Sequence, residues 1–253
     1  MEPGRLKRLL ENVLVYDGGA SIDTVVVEAS KGGLIVKDMS LDIIAVHNAY
    51  GKKFFITFDP ELEGEEKSKL VPLSKSLLDQ VRGGFASGDD KVMLEVEGEW
   101  VHLRVPGDHY RENLVEFTPP DMGELEFQKK AKQGYILKGH DVKMQVLVKA
   151  ADLSNLPDAE HLTFRTDGTA IAVHAEWEGI GDRTKALPFT AKTGELEEGY
   201  EIQFDSSYFQ KVVKQFTGNV WLTLGPAKDG SLEVATLSQA TKEFLTTYVV
   251  SAI

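Results

Sequence analysis

The chain has 253 residues, enough for one large β domain or two domains of ordinary size, and its 42% hydrophobic content is normal for a packed globular protein. It has no Cys, which removes a disulfide scaffold, a Cys-ligated zinc site, an iron–sulfur cluster and a thiol nucleophile together. Forty acids against twenty-eight bases give a net charge of −12, so contact with nucleic acid requires the bases to be segregated onto one surface.

The N-terminus is basic but lacks the long apolar core and cleavage site of a signal peptide, and no run approaches eighteen apolar residues. A soluble intracellular protein is the expectation. The first periodic segment is Leu6, Leu9, Leu10 and Val13, whose i, i+3, i+4, i+7 spacing predicts an amphipathic helix. β-rich stretches follow at Thr24–Ser30, Gly33–Met39, Ile43–Ala49 and Lys53–Phe58, and Glu61–Lys69 reads as a solvated loop. Leu73, Leu77 and Val81 then mark a second helix, ended by Gly83-Gly84. Strands are expected again at Lys91–Glu97, Trp100–Val105 and Tyr110–Phe117. The Pro119-Pro120-Asp121-Met122-Gly123 run resists sheet pairing and opens a connector over 118–134.

The second half repeats the pattern. Val146, Ala150 and Leu153 make a weaker helical stripe, and Phe209, Val212, Val213 and Phe216 repeat the first spacing. Strands are expected at Leu162–Thr166, Ala170–Trp177, Lys185–Thr190, Tyr200–Phe204, Val220–Leu224, Leu232–Leu237 and Phe244–Val250. Asp167-Gly168, Asp229-Gly230 and Glu97-Gly98 supply the positive-φ residues of tight hairpins. Each half therefore reads helix, strands, helix, strands. The expectation is an α+β protein built by internal duplication, with similar domains at 1–117 and 135–253.

The four helical windows, 3–14, 72–84, 146–156 and 205–217, hold eight bases and four acids, a net of +4. The rest of the chain carries −16 against the total of −12. Arg5, Lys7, Arg8, Lys75, Arg82, Lys149, Lys211 and Lys214 are thus the candidate phosphate contacts. An ordinary solvated helix face is the plainer reading of any one of them.

Enzyme signatures are absent: no G-x-S-x-G, no phosphate-binding glycine loop with Lys-Ser/Thr, no H-E-x-x-H and no dinucleotide fingerprint. The six His (47, 102, 109, 140, 161, 174) are scattered, with no pair at metal-ligand spacing. Gly88-Asp89-Asp90 reads as a turn before the next strand. No catalytic residue, metal or cofactor is expected.

Several stretches carry a resemblance. They are Val36-Lys37-Asp38-Met39-Ser40-Leu41-Asp42-Ile43-Ile44-Ala45-Val46, Lys149-Ala150-Ala151-Asp152-Leu153-Ser154 before Leu162-Thr163-Phe164, and Phe204-Asp205 before Tyr208-Phe209-Gln210-Lys211-Val212-Val213. The terminal Tyr248-Val249-Val250-Ser251-Ala252-Ile253 completes them. In this order the chain resembles the DNA sliding clamps, the family of proliferating cell nuclear antigen. It departs in having only Met1-Glu2 before Pro3, where the family places a strand, in lacking a proline after the last apolar run, and in the few bases of 146–156.

The resemblance implies two clamp-type domains per chain, with β-sheets outside and two helices each inside, closing into a homotrimeric ring. It implies a processivity factor that encircles duplex DNA and tethers DNA polymerase and other clamp-binding-motif proteins, with a clamp loader ATPase as a further partner. It places a partner-binding pocket at Met39, Ile43, Ala45, Leu125, Phe127, Val250 and Ile253. It places a subunit interface at the strands carrying Tyr110, Glu112 and Glu116 and, in the next copy, Arg183 and Lys185. The implied location is cytoplasmic, at the nucleoid in an archaeon, or nuclear in a eukaryote. Two alternatives stay open: a subunit of a heteromeric clamp, and a monomeric β-rich scaffold or ligand-binding protein without nucleic acid.

Overall fold

A computed structural model describes residues 1–13, 24–40, 44–55, 58–60, 62, 64, 66–85, 91–113, 126–130, 132–177, 179–228, 230 and 232–253. The chain divides into two compact units: residues 1–39, 46–121 and 241–244, and residues 40–45, 122–240 and 245–253.

The first unit runs α1 (Pro3–Val13), β1 (Thr24–Ser30), β2 (Gly33–Ser40), β3 (Ile44–Gly51), β4 (Ser68–Ser74), α2 (Lys75–Arg82), β5 (Met93–Glu97), β6 (Trp100–Val105) and β7 (Asp108–Asn113). Its strands form the orders β3-β2-β1-β4 and β5-β6-β7. The helices bury Leu6, Leu9 and Leu10 from α1 and Leu77, Leu78 and Val81 from α2, so the apolar period read from sequence is the packed face. Ser74 caps α2, its hydroxyl accepting from the Leu77 N–H at 3.4 Å.

The second unit runs β8 (Phe127–Lys130), β9 (Gly134–Leu137), β10 (Met144–Lys149), α3 (Ala150–Ser154), β11 (His161–Thr166), β12 (Ile171–Trp177), β13 (Gly181–Ala186) and β14 (Ala191–Lys192). It continues with β15 (Glu201–Asp205), α4 (Ser206–Val213), β16 (Asn219–Pro226), β17 (Glu233–Ala240) and β18 (Phe244–Ser251). Its strands form β14-β10-β16-β17-β18, β13-β12-β11-β15 and the hairpin β8-β9. The Asp205 carboxylate caps α4 by accepting from the N–H groups of Ser207 (2.8 Å) and Tyr208 (3.2 Å). Phe209 then packs against Phe164 and Phe204, with ring centroids 5.1 and 5.5 Å away.

The duplication is visible strand by strand. The order β3-β2-β1-β4 recurs as β13-β12-β11-β15, and β5-β6-β7 recurs as β16-β17-β18. β10, which lies beside β16, has a one-residue counterpart in the first unit. The Val92 N–H donates to the Met1 carbonyl at 2.8 Å, and the Met1 amine donates to the Val92 carbonyl. Met1 and Val92 thus exchange both backbone hydrogen bonds just before α1.

Five expectations are corrected. Lys53–Phe58 was expected as a strand, but Lys52–Phe54 is a 3₁₀ turn closed by the Phe55 N–H on the Lys52 carbonyl, with Phe54 turned onto Tyr50 at 4.9 Å. Val146 lies in a strand, not a helix: Met144 to Val148 pair with β16, and α3 has five residues. Asn155-Leu156-Pro157 stops it, because a proline disfavours helix at the residue before it. Ser68, Lys69 and Leu73 belong to β4, paired along β1, not to a solvated loop or to the helix. β13 lies at Gly181–Ala186, earlier than Lys185–Thr190, and the Thr190 N–H instead donates to the Leu147 carbonyl. Part of the segment expected as a connector forms the β8-β9 hairpin.

The turns at Gly98 (φ 59°) and Gly168 (φ 85°) have the positive φ expected of them, and the Asp167 carboxylate accepts from the Thr169 and Ala170 N–H groups. Among the described residues no helix is long and apolar enough to cross a membrane.

His47, on β3, is 4% exposed. Burial, helped by the positive Lys37, pushes its imidazole down to about 3 from 6.5. Below pH 6.5 the unfolded chain takes up a proton that the folded chain refuses, so stability falls as pH falls toward 3. Between about pH 8 and pH 5 this single group should remove roughly 2 kcal/mol. Urea unfolding over that range should show the loss in the native chain and a flatter dependence in His47→Leu. Equal slopes would remove His47 as the source.

Candidate nucleic-acid interface

α1 packs on α2 in the first unit, and α3 packs on α4 in the second. The bases on these helices are not equivalent. Arg5 is half-buried, and its guanidinium donates to the carbonyls of Lys53 (3.1 Å) and Phe54 (2.8 Å) and to Glu243 (3.3 Å). It also pairs with Glu2 at 3.4 Å. Arg8 lays its guanidinium 4.5 Å from the centre of the Phe244 ring. Both arginines therefore fasten α1 to the first unit.

Lys7 and Arg82 are exposed and converge on one carboxylate, Glu11, at 4.0 and 3.2 Å. Two cations around one anion leave net positive charge where α1 meets α2. Lys75 is the half-buried first residue of α2. On α4, Lys211 holds its ammonium 5.0 Å from the Tyr208 ring and Lys214 is exposed at the helix end. Lys149 is exposed but ends β10 and precedes α3. Strand alternation sets it with Gln145 and Leu147, opposite the buried Val146 and Val148 that face the helices. The structure thus sets Lys7, Lys75, Arg82, Lys211 and Lys214 on the helix faces, engages Arg5 with two carbonyls and a carboxylate, lays the exposed Arg8 against Phe244, and places Lys149 at the end of a strand. The partners of the two arginines, Glu243 and Phe244, lie too far along the chain for any sequence window to show.

Of the partner-pocket residues, Ile43 and Leu125 lie outside the described residues, as do the side chains of Met39 and Ala45. Phe127 is half-buried at the start of β8. Val250 is buried on the β18 face that carries Tyr248, whereas Thr247, on the opposite face, reaches the hairpin by donating to the Tyr135 carbonyl at 3.0 Å. Val250 and the hairpin therefore occupy opposite faces of this sheet. Ile253 is 64% exposed, and its N–H donates to the Gln203 carbonyl at 3.1 Å.

The strands expected at a subunit interface both end their sheets among the described residues: β7 in β5-β6-β7 and β13 in β13-β12-β11-β15. Glu116 lies outside the described residues. Glu112 accepts from the hydroxyls of Ser74 (2.6 Å), Ser76 and Tyr110 (3.0 Å), so its carboxylate is drawn to the start of α2. The Lys185 ammonium donates to the Asn155 carbonyl at 3.0 Å, and Arg183 is exposed.

His102 does have a partner that the sequence reading missed. Its Nδ1 lies 2.9 Å from Nε2 of His109 across the β6–β7 hairpin, with rings nearly parallel. No group of three or more metal-ligating side chains occurs among the described residues.

The whole chain superposes on solved sliding clamps. Proliferating cellular nuclear antigen of Entamoeba histolytica matches with a TM-score of 0.74 at 13% identity, over 100% of this chain and 96% of that one. The A. fulgidus PCNA solved with the C-terminal region of FEN-1 matches at 0.71 and 13%, over 100% and 96%. The PCNA2–PCNA3 complex of Sulfolobus tokodaii matches at 0.71 and 12%, over 100% and 97%. The fold is that of the sliding clamps. No protein-family model matches the chain, and no curated protein matches it in sequence. At this identity the likeness rests on pattern more than on particular residues: an apolar period on α1, α2 and α4 and buried faces on the strands.

Arg5→Ala removes three hydrogen bonds and the contact of its guanidinium with the Phe54 ring, 5.7 Å from the ring centre, and should cost about 1–3 kcal/mol in urea unfolding. Lys214→Ala should stay within about 0.5 kcal/mol. Equal effects would mean that Arg5 is no staple of α1.

Proposed function

We propose that this chain is a sliding clamp that closes into a ring around duplex DNA and tethers other proteins to it, without catalysing a reaction. The observation that carries the reading is the full-length likeness to clamp structures. The distribution of charge supports it: in a chain of net −12, the helices turn Lys7, Lys75, Arg82, Lys211 and Lys214 away from their apolar backs.

The chemistry asked of these residues is modest. A ring holds DNA by topology, so lysines that meet phosphates through exchangeable, sequence-blind contacts hold position without stopping translation along the duplex. A partner docked on the ring stays at high effective concentration near its template. Assembly would use the two sheet edges, β7 of one copy beside β13 of the next, a head-to-tail contact that closes when the rotation fits and covers both edges. The neighbour bound to FEN-1 supports partner docking as part of the same reading.

A second reading is a subunit that closes a ring only with a different clamp chain. It is favoured by the Sulfolobus tokodaii neighbour, which is a complex of two clamp proteins.

Light scattering decides first. One chain is 28.0 kDa. A species of about three chains supports the homomeric ring, and a strict monomer at high concentration favours the heteromeric subunit. Lys211→Ala with Lys214→Ala should leave the mass unchanged and reduce the slope of log K against log salt for duplex DNA by about 2 for each copy whose lysines meet phosphates. An unchanged slope would overturn the helix-face assignment.

A further inference from the structure

The hairpin β8-β9 crosses the face of the second unit's large sheet that points away from α4. Gln133 donates to the Gln145 side chain at 3.1 Å, and Gln145 donates to Thr223 at 2.8 Å on the same face. The opposite face carries Val146, Leu222 and Tyr248, all buried, and Tyr248 meets Phe216, just beyond α4, with centroids 5.6 Å apart.

Two things stand together on the hairpin side. Leu147 follows Gln145 by two residues and pairs in register with Trp221, which precedes Thr223 by two. Leu147 and Trp221 are therefore side by side on this face, and both are half-buried. The same face and the hairpin end that reaches it carry positive charge. Lys149 is next on the same face of β10, and the hairpin end that carries Gln133 also carries Lys130 and Lys132. All three lysines are exposed, and none of their ammonium groups makes a hydrogen bond or ion pair among the described residues. At the other end of the hairpin the pattern differs: Lys138 is held by Glu126 at 2.6 Å, which keeps that carboxylate below its ordinary pKa range. Lys130, Lys132 and Lys149 have no such compensation among the described residues.

We propose that this face is a docking site for an acidic protein segment carrying an apolar side chain. Trp221 and Leu147 would take the apolar anchor, and Lys130, Lys132 and Lys149 would meet the flanking carboxylates. An aromatic centre with a charged, wet rim is the arrangement in which a short segment draws most of its binding energy from one or two anchors. Charge selects the partner: three uncompensated lysines on this face and the hairpin end repel a basic segment and steer an acidic one. Nucleic acid fits less well, because single strands are held by successive aromatics, one per base, and here one Trp stands with one Leu. The site lies on the opposite sheet face from α4, so it stands apart from the helix-face contacts proposed above.

The test uses the full chain and a fluorescein-labelled peptide, Asp-Asp-Leu-Phe-Asp-Asp, followed by anisotropy. Binding should weaken about tenfold or more in Trp221→Ala. It should weaken several-fold in Lys130→Ala with Lys132→Ala, with a shallower salt dependence. The hairpin variant changes only exposed side chains, so it keeps the proposal falsifiable if Trp221→Ala folds poorly. Lys211→Ala with Lys214→Ala should leave peptide binding unchanged, which separates this site from the helix faces. Three results would overturn the proposal: equal binding of Lys-Lys-Leu-Phe-Lys-Lys, peptide binding indifferent to the hairpin lysines, or a preference for oligothymidylate that the same substitutions abolish. The last would make the face a single-strand platform.

Discussion

The contact of Phe209 with Phe164 and Phe204 sets what α4 can do. Three aromatic rings within 6 Å of one another bury a large apolar area and fix the rotation of the helix about its axis. The Asp205 cap fixes where that helix starts. With both fixed, Val212 and Val213 go inward, and Lys211 and Lys214 have only the outer side left. A shift of one residue would turn the helix by about 100° and bring a lysine toward the core. The basic face is thus a consequence of the aromatic one. α1 and α2 follow the same logic through Leu6, Leu9, Leu10, Leu77, Leu78 and Val81.

This is also why so much of the fold could be read from the residues alone. Helices α1, α2 and α4 carry a strong 3.6-residue period and announce themselves. The repeat of helix, strands, helix, strands is legible in the same way. What escaped reading lacks a decisive period. Met144 to Val148 is nearly continuous in apolar residues, which suits a strand buried on both faces as well as a helix. The pairing with β16 decides the matter, and pairing is not written locally. The β8-β9 hairpin escaped for the opposite reason, since its lysines and glutamines hide the alternation that normally marks a strand.

The candidate site was legible in sign but not in detail. Counting bases in four windows gave the sign of the charge on the helical segments, yet the count could not tell an available cation from an engaged one. Arg5 meets Glu243 across 238 positions of sequence, and Arg82 meets Glu11 across 71. Arg8 meets Phe244 over a comparable span. Only tertiary packing brings these partners together, and it gives Arg5 and Arg8, two of the eight expected phosphate contacts, packing partners within their own unit. Arginine suits that role better than lysine: its planar fork serves two carbonyls and a carboxylate at once, as Arg5 does.

Lys149 shows how finely the assignment depends on register. Read as part of a helix, it belongs with the other helix bases. Placed as the last residue of a strand, it falls in the odd-numbered set with Gln145 and Leu147, while Val146 and Val148 take the core. Because side chains alternate with a period of two, a slip of one residue would exchange these sets completely. The core enforces the observed register, since burying Lys149 and exposing two valines would cost far more than any surface contact returns. The same alternation that closes the hydrophobic layer against Phe216 therefore sorts the charges of this unit between two faces, with Lys211 and Lys214 on the helix side and Lys149 beside Trp221 on the other. Among the described residues, this sheet has α4 and Phe216 toward one face and the β8-β9 hairpin on the other, so its core keeps Lys211 and Lys214 apart from Lys149 and Trp221.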